Sequence, residues 1–233
     1  MNSSLLKEYA KDIGISLDEE KASLMTTYGE KILIKNKDIN LTSIVDEDEF
    51  IVKHLLDSLT VASLEEVKGK VADIGTGGGF PGVILKIYKP EINVILVDSV
   101  NKKLKVVDEI CKELGINVKT VHSRAEELAN GDNRESFDCV VARAVAPLPK
   151  LLEFCLPLVK LKGHFIAMKG PDVSQEISKA SKIEKILGGR IKKVATPLLP
   201  NNLNHTIIIY EKMKHTPKEF PRNLKKIENE PII

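Results

Sequence analysis

The chain has no tryptophan, and phenylalanine and tyrosine together supply only 4% of its 233 residues. A platform of stacked aromatic side chains for single-stranded RNA is therefore not expected. Its three cysteines, Cys111, Cys139 and Cys155, sit far apart in apolar runs. That spacing holds no metal and reads as reduced core thiols of a cytoplasmic protein. No apolar run reaches the ~18 residues a membrane helix needs. Met1-Asn2-Ser3-Ser4 lacks the basic-then-apolar opening of a signal peptide. There is no basic block, internal repeat or low-complexity linker.

What remains is an ordinary globular composition, 42% hydrophobic and 29% charged, on a length suited to one main domain with an appended element. The net charge of +2 hides an asymmetry: acidic residues outnumber basic ones over the first 65 positions, and the balance reverses afterwards. A polyanion would dock on the basic part, although an unevenly solvated surface gives the same count.

Three regions follow: a helical extension over 1–65, an alternating domain over 66–211 and a basic, proline-broken tail over 212–233. In the extension, Ser16-Leu17-Asp18-Glu19 has capping-box spacing. Asp46-Glu47-Asp48-Glu49 places negative charge at the start of a later helix, which buries Ile51, Leu55, Leu59 and Ala62. His54, Asp57 and Ser58 share another side of that helix.

From residue 70, strands are expected at Lys70–Ile74, Ile92–Asp98, Val118–His122, Phe137–Arg143 and His164–Lys169, with helices between them. Strands near Arg190–Ala195 and His205–Tyr210 form an antiparallel hairpin at the sheet edge. The fold class is α/β: a mostly parallel, doubly wound, Rossmann-like sheet whose ligand crevice lies at the carboxyl ends of its strands.

The chemistry is concentrated in Asp73-Ile74-Gly75-Thr76-Gly77-Gly78-Gly79-Phe80-Pro81-Gly82, where a strand runs through glycines into a helix. Glycines allow a tight turn and a close approach of backbone to ligand. Gly77, Gly79 and Gly82 also fit the dinucleotide pattern, and Asp98, ending the next strand, suits the ribose of either adenosine cofactor. Asp73 favours S-adenosylmethionine: a carboxylate aimed into the turn accepts from an amino group but opposes a pyrophosphate. Ser123-Arg124-Ala125-Glu126 has capping-box spacing and begins at the same rim, where Glu126 meets an adenine amino group. Arg143 ends a strand there and either pairs with Glu126 or touches the cofactor. Lys169 ends another and meets a phosphate or solvent.

In order along the chain, several segments carry a resemblance: Asn40-Leu41-Thr42-Ser43-Ile44, His54-Leu55-Leu56-Asp57-Ser58, the Asp73–Gly82 loop, Val97-Asp98-Ser99, Ser123-Arg124-Ala125-Glu126, Ala142-Arg143-Ala144, Ala167-Met168-Lys169-Gly170 and Phe220-Pro221-Arg222. Together they resemble the small-subunit ribosomal RNA guanine-N7 methyltransferase family, also called the glucose-inhibited division protein B family. The likeness covers nearly the whole chain. It implies a class I methyltransferase with a cofactor site at Gly75, Phe80, Ala125, Glu126 and Arg143, with Asp98 on the ribose. With Asp73 and Gly77 these are the candidate cofactor residues, and His54, Lys169 and Arg222 are candidates for RNA.

The resemblance also implies a cytoplasmic enzyme, expected as a monomer, acting on 16S rRNA or the small-subunit particle at one guanine of a decoding-region loop. N7 carries a free lone pair, so no residue is assigned as general base. The C-terminal pattern departs from the family after Arg222, where a glycine and a middle proline are missing. A methyltransferase for another substrate and a nucleotide-binding oxidoreductase are the competing functions.

Overall fold

The computed structural model describes residues 1–200 and 203–233. Seven strands form one sheet in the order β3-β2-β1-β4-β5-β7-β6. They are β1 (Lys70–Ile74), β2 (Asn93–Asp98), β3 (Lys119–His122), β4 (Phe137–Arg143), β5 (Val159–Lys169), β6 (Gly189–Ala195) and β7 (Thr206–Lys212). The first five run parallel, as β–α–β connections require, and β7 inserts antiparallel between β5 and β6. The edge hairpin is therefore formed, with β7 as its inner strand.

Alternation along the central strands divides the core. Val71, Cys139 and Val141 face one side, Ala72, Val140 and Ala142 the other, as expected of a sheet covered on both faces. The first face packs on α5 (Gly82–Tyr88), α6 (Asn101–Glu113) and the N-terminal helices. The second packs on α7 (Ala125–Asn130), α8 (Leu148–Cys155), α9 (Ser174–Ile186) and α10 (Leu224–Asn229). No helix of the described residues is long and apolar enough to cross a membrane.

The N-terminal helices are α1 (Ser3–Asp12), α2 (Glu19–Asn36) and a continuous rod of α3 (Glu47–Phe50), a π turn (Ile51–Leu56) and α4 (Asp57–Ala62). Asp46 caps the rod by accepting from the Glu49 amide, as its acidic start suggested. Asp18, not Ser16, caps α2. Tyr28, Met25 and Phe50 are fully buried in the same apolar cluster as Val71 and Leu96, so the extension and the sheet share a core.

The C-terminal segment departs from the expected loose tail. Arg134 donates to the carbonyls of Phe220, Thr216 and Pro217 at 2.6, 2.8 and 3.0 Å. Ile227 of α10 is wholly buried against the second face of the sheet. Prolines break regular structure, but they do not prevent burial of apolar side chains.

Candidate functional site

The glycine turn is held by its own carboxylates. Asp73 Oδ2 accepts from the Thr76 hydroxyl at 2.6 Å and the Gly82 amide at 2.8 Å. Asp98 Oδ2 accepts from the Gly77 amide at 2.9 Å, and Oδ1 from Val100 at 2.8 Å. Val97 O takes the amides of Gly75 and Thr76, while Thr76 O takes those of Gly79 and Phe80. Gly79, at φ +86°, leaves no room for a side chain, since a Cβ would lie 2.1 Å from the Tyr28 hydroxyl. Tyr28 donates to the Gly78 carbonyl at 2.7 Å, tying α2 to the turn.

Asp73 lies beneath this turn and is fully buried, a correction to its placement facing the ligand. Among the described residues its Oδ1 has no partner, and burial pushes its carboxyl up to about 6 despite the bonds from Thr76 and Gly82. Desolvation disfavours the charged form more than those two donors favour it.

Two cavities open on either side of Gly75. The first, about 360 Å³, is lined by Gly75, Asp98, Ala125 and Glu126 among others. The expected capping box there is shifted by one residue: α7 starts at Ala125, and Glu127 reaches back to the Arg124 amide at 3.5 Å. Glu126 is thereby left at the cavity, largely buried. Leu224 and Glu228 of α10 complete this wall, a contribution invisible in a proline-broken sequence.

The second cavity, about 540 Å³, is lined by Thr42, His54, Gly77, Phe80, Arg143 and Lys169 among others. Arg143 does not meet Glu126. Its Nη1 donates to Asp57 Oδ2 at 2.9 Å and to the Lys53 carbonyl at 3.0 Å, within the π turn. Its Nη2 lies 2.8 Å from His54 Nδ1. The His54 ring stacks on Phe80 with centroids 4.8 Å apart, and its Nε2 lies 2.7 Å from the Thr42 hydroxyl.

Burial, then the Arg143 charge, lowers the His54 pKa to about 3, so this ring is neutral at physiological pH. Burial opposes the charge on Asp57, but contacts from His205 and Arg143 outweigh it and hold the carboxyl below its ordinary value.

His205 was not a sequence candidate. Its Nδ1 lies 2.6 Å from Asp57 Oδ1, close but not aligned as a hydrogen bond. Because β7 runs antiparallel, its start reaches the rim formed by the ends of the parallel strands. The signal is its place just before β7, the inner strand of the edge hairpin, whose antiparallel direction brings it to the rim.

Two RNA candidates are already paired. Lys169 Nζ sits 2.8 Å from Glu176 and donates to the Ala146 carbonyl at 3.0 Å. Arg222 grips Glu153 through Nε and Nη2 at 2.8 and 2.7 Å, with Glu153 almost fully buried. Such a bidentate pair fastens the C-terminal segment to α8. The structure thus contradicts a free Arg222 at the rim, because the buried carboxylate claims the guanidinium. Among the described residues no cluster could hold a metal ion.

A dinucleotide suits this turn poorly. Pyrophosphate sites rely on free backbone amides, whereas here those of residues 75, 76, 77, 79, 80 and 82 are already engaged, two of them by carboxylates. The space is nonetheless open: Gly77 has φ +55° and a Cβ there would meet nothing within 4 Å. Carboxylates beside an open glycine turn fit a cofactor with an amino-acid tail and ribose hydroxyls.

The family model described as rRNA small subunit methyltransferase G (GidB) matches residues 21–203. The chain belongs to this family. Proteins called ribosomal RNA small subunit methyltransferase G from Clostridium tetani and Desulforamulus reducens are each 41% identical to it. The first alignment covers 98% of both chains, the second 93% of this chain and 92% of the relative. Among solved structures, M. jannaschii TYW2 in complex with AdoMet aligns with a TM-score of 0.56 at 14% identity, over 69% of this chain and 76% of that one. A SAM-dependent O-methyltransferase from Thermotoga maritima aligns at 0.51 and 15%, over 80% and 73%. At such identities these likenesses establish the fold alone. As a member of the rRNA small subunit methyltransferase G family, the protein is a methyltransferase, and S-adenosylmethionine is its implied cofactor.

Proposed function

We propose that the protein transfers a methyl group from S-adenosylmethionine to N7 of one guanine in a decoding-region loop of bacterial 16S rRNA. The observation that supports this best is the pair of cavities meeting at Gly75, one walled by carboxylates and the other by an arginine–histidine network. We assign the adenosine to the first cavity. There Asp98 has lone pairs left for the ribose hydroxyls, since each of its oxygens accepts only one backbone amide. Glu126 takes the adenine amino group, and Gly75, shared by both cavities, lets the backbone approach, with Gly77 on the second-cavity side of the turn. Asp73 holds the turn rather than the ligand.

The target base enters the second cavity, between Phe80, His54 and the Thr42 loop. S-adenosylmethionine supplies an electrophilic methyl group on a sulfonium. Guanine N7 brings its own lone pair, so no residue has to remove a proton, and His54, neutral and already engaged at both ring nitrogens, removes none. The residues contribute alignment and exclusion of water, which are proximity effects. An unpaired loop base is presented at modest cost, unlike one inside an A-form helix. We take the enzyme to act as a monomer in the cytoplasm, on 16S rRNA or the small-subunit particle.

The test is incubation with cofactor and small subunits lacking the modification, followed by mass mapping of the RNA. The expected product is a single 7-methylguanine in the decoding-region loop. Methylation of another base or position, or of a protein instead, overturns the assignment.

A further inference from the structure

Hydrogen-bond polarity in the second cavity is fixed from one end. Arg143 is a donor only, so at 2.8 Å His54 Nδ1 must accept from it. The neutral ring then carries its proton on Nε2 and donates to the Thr42 hydroxyl 2.7 Å away. That oxygen also accepts from the Ile44 amide at 3.0 Å. Both of its lone pairs are used, and its own hydrogen has no acceptor among the described residues. Asn36 pins the loop by accepting from the Leu41 and Thr42 amides at 2.7 and 2.9 Å and donating to the Thr42 carbonyl at 2.9 Å. Thr42 is therefore a fixed hydroxyl on the cavity wall, committed to donate and polarised by a chain that starts at a cation.

We propose that the Thr42 hydroxyl reads the target base by donating to O6 of guanine, with Arg143 and His54 setting its polarity. The proposal rests on the guanine-N7 assignment above. The base edge that carries N7 carries one further acceptor, O6. N7 must keep its lone pair for the methyl group, so a donor that orients this edge has only O6 to hold. Adenine presents an amino group at that place, and two donors facing each other repel the wrong base. A site built to satisfy a substrate's polar group rejects an analogue lacking it more strongly than a purely apolar pocket does.

The experiment compares single-turnover methylation of small-subunit RNA ligated to carry guanine, inosine or 2-aminopurine at the target position. Inosine keeps O6, and 2-aminopurine keeps N7 but lacks O6. The wild-type protein should favour guanine and inosine over 2-aminopurine by about tenfold or more, as expected for one lost hydrogen bond with the half-buried Thr42 donor left unpaired. Thr42→Val should bring the three substrates close together, and Thr42→Ser should restore the preference. A merely structural role for Thr42 would slow all three alike and leave their ratio unchanged, which would overturn the proposal. Equal wild-type rates on guanine and 2-aminopurine would overturn it without any variant. A wild-type product other than 7-methylguanine would instead remove the functional assignment on which it rests.

Discussion

The two cavities that meet at Gly75 are built on opposite charge logic. In the first, Asp98 and Glu126 offer acceptors beside backbone that is already satisfied, with Arg124 and Lys150 also on the lining. In the second, the wall is a chain from Thr42 through His54 and Arg143 to Asp57 and His205, in which each polar group orients the next. A small cofactor needs fixed acceptors for its hydroxyls and amino groups. A base delivered on RNA needs a shaped slot whose donors cannot change role. The same rim serves both because the end of β2 and the start of α7 carry Asp98 and Glu126, while β4 and the residue before β7 carry Arg143 and His205 to the other side of the turn.

That division can be broken selectively. The largest effect is expected for Asp57→Ala, which removes a buried carboxylate and leaves the half-buried Arg143 guanidinium without it. Thermal or denaturant unfolding should report a loss of about 3–5 kcal/mol, and methyl transfer should fall while cofactor affinity in the remaining folded protein changes little. Equal losses of cofactor and RNA function would merge the two cavities into one. Gly77→Val should act at the turn between the cavities, where Gly77 lines the second while its amide bonds Asp98 of the first. Its side chain would enter open space beside Asp98, weakening cofactor binding by about ten- to a hundredfold in calorimetry. The positive φ adds strain of about 1–2 kcal/mol to the fold. Undiminished affinity in folded Gly77→Val protein would move the cofactor away from the turn.

Arg222→Ala sharpens the comparison from outside. Glu153 would lose a charged partner, worth about 1.5–3 kcal/mol, and α10 would loosen from the first cavity. Melting temperature and cofactor affinity should drop, while the salt dependence of RNA binding stays as it was. A shallower salt slope would return Arg222 to the RNA surface. Lys169→Ala should do less, since Glu176 already neutralises that charge at the rim of the second cavity. Its RNA salt slope should fall by well under the ~1 unit expected for a lost phosphate contact.

The smallest effect is that of pH. With cofactor and RNA saturating, the transfer rate should stay flat between about pH 6 and 8, because no histidine acts as base. A tenfold rise per pH unit would reinstate one. Stability should show two opposing slopes below neutrality. His54 has a folded pKa of about 3, below its ordinary 6.5, so its contribution is whole above 6.5 and is lost as pH falls. Asp73, raised from 3.8 to about 6, contributes in the reverse sense: its share is whole below 3.8 and lost as pH rises through 6. His54→Gln should therefore flatten the melting profile on the acid side, and an unaltered profile would mean that the ring is not buried neutral.

Much of the frame was legible because it depends on local periodicity. All seven strands form, β1 and β4 at the expected residues, although β5 begins at Val159 rather than His164, and the glycine turn joins β1 to α5. Partners across the fold were not legible. Nothing near Arg222 announces Glu153, and nothing near Lys169 announces Glu176, since each pair is made by packing. Arg143 was placed at the rim, but its carboxylate is Asp57, brought over by the π turn and α4 rather than by α7. Spacing identified His54, Asp57 and Ser58 as neighbours, yet Asp57 turns from that helix to Arg143 and His205. The C-terminal segment is ordered for the same reason: Arg134 and Glu153, both distant in sequence, hold it while its own Ile227 is buried on the sheet.

The assignment of the first cavity to S-adenosylmethionine is tested most directly by calorimetry on Asp98→Ala. Wild-type protein should bind S-adenosylmethionine and its demethylated product and give no heat with NAD. Asp98→Ala should weaken the first two by about ten- to a hundredfold, the equivalent of roughly 1.5–3 kcal/mol of charged hydrogen bonding. An unchanged dissociation constant, or saturable binding of NAD, would contradict the account.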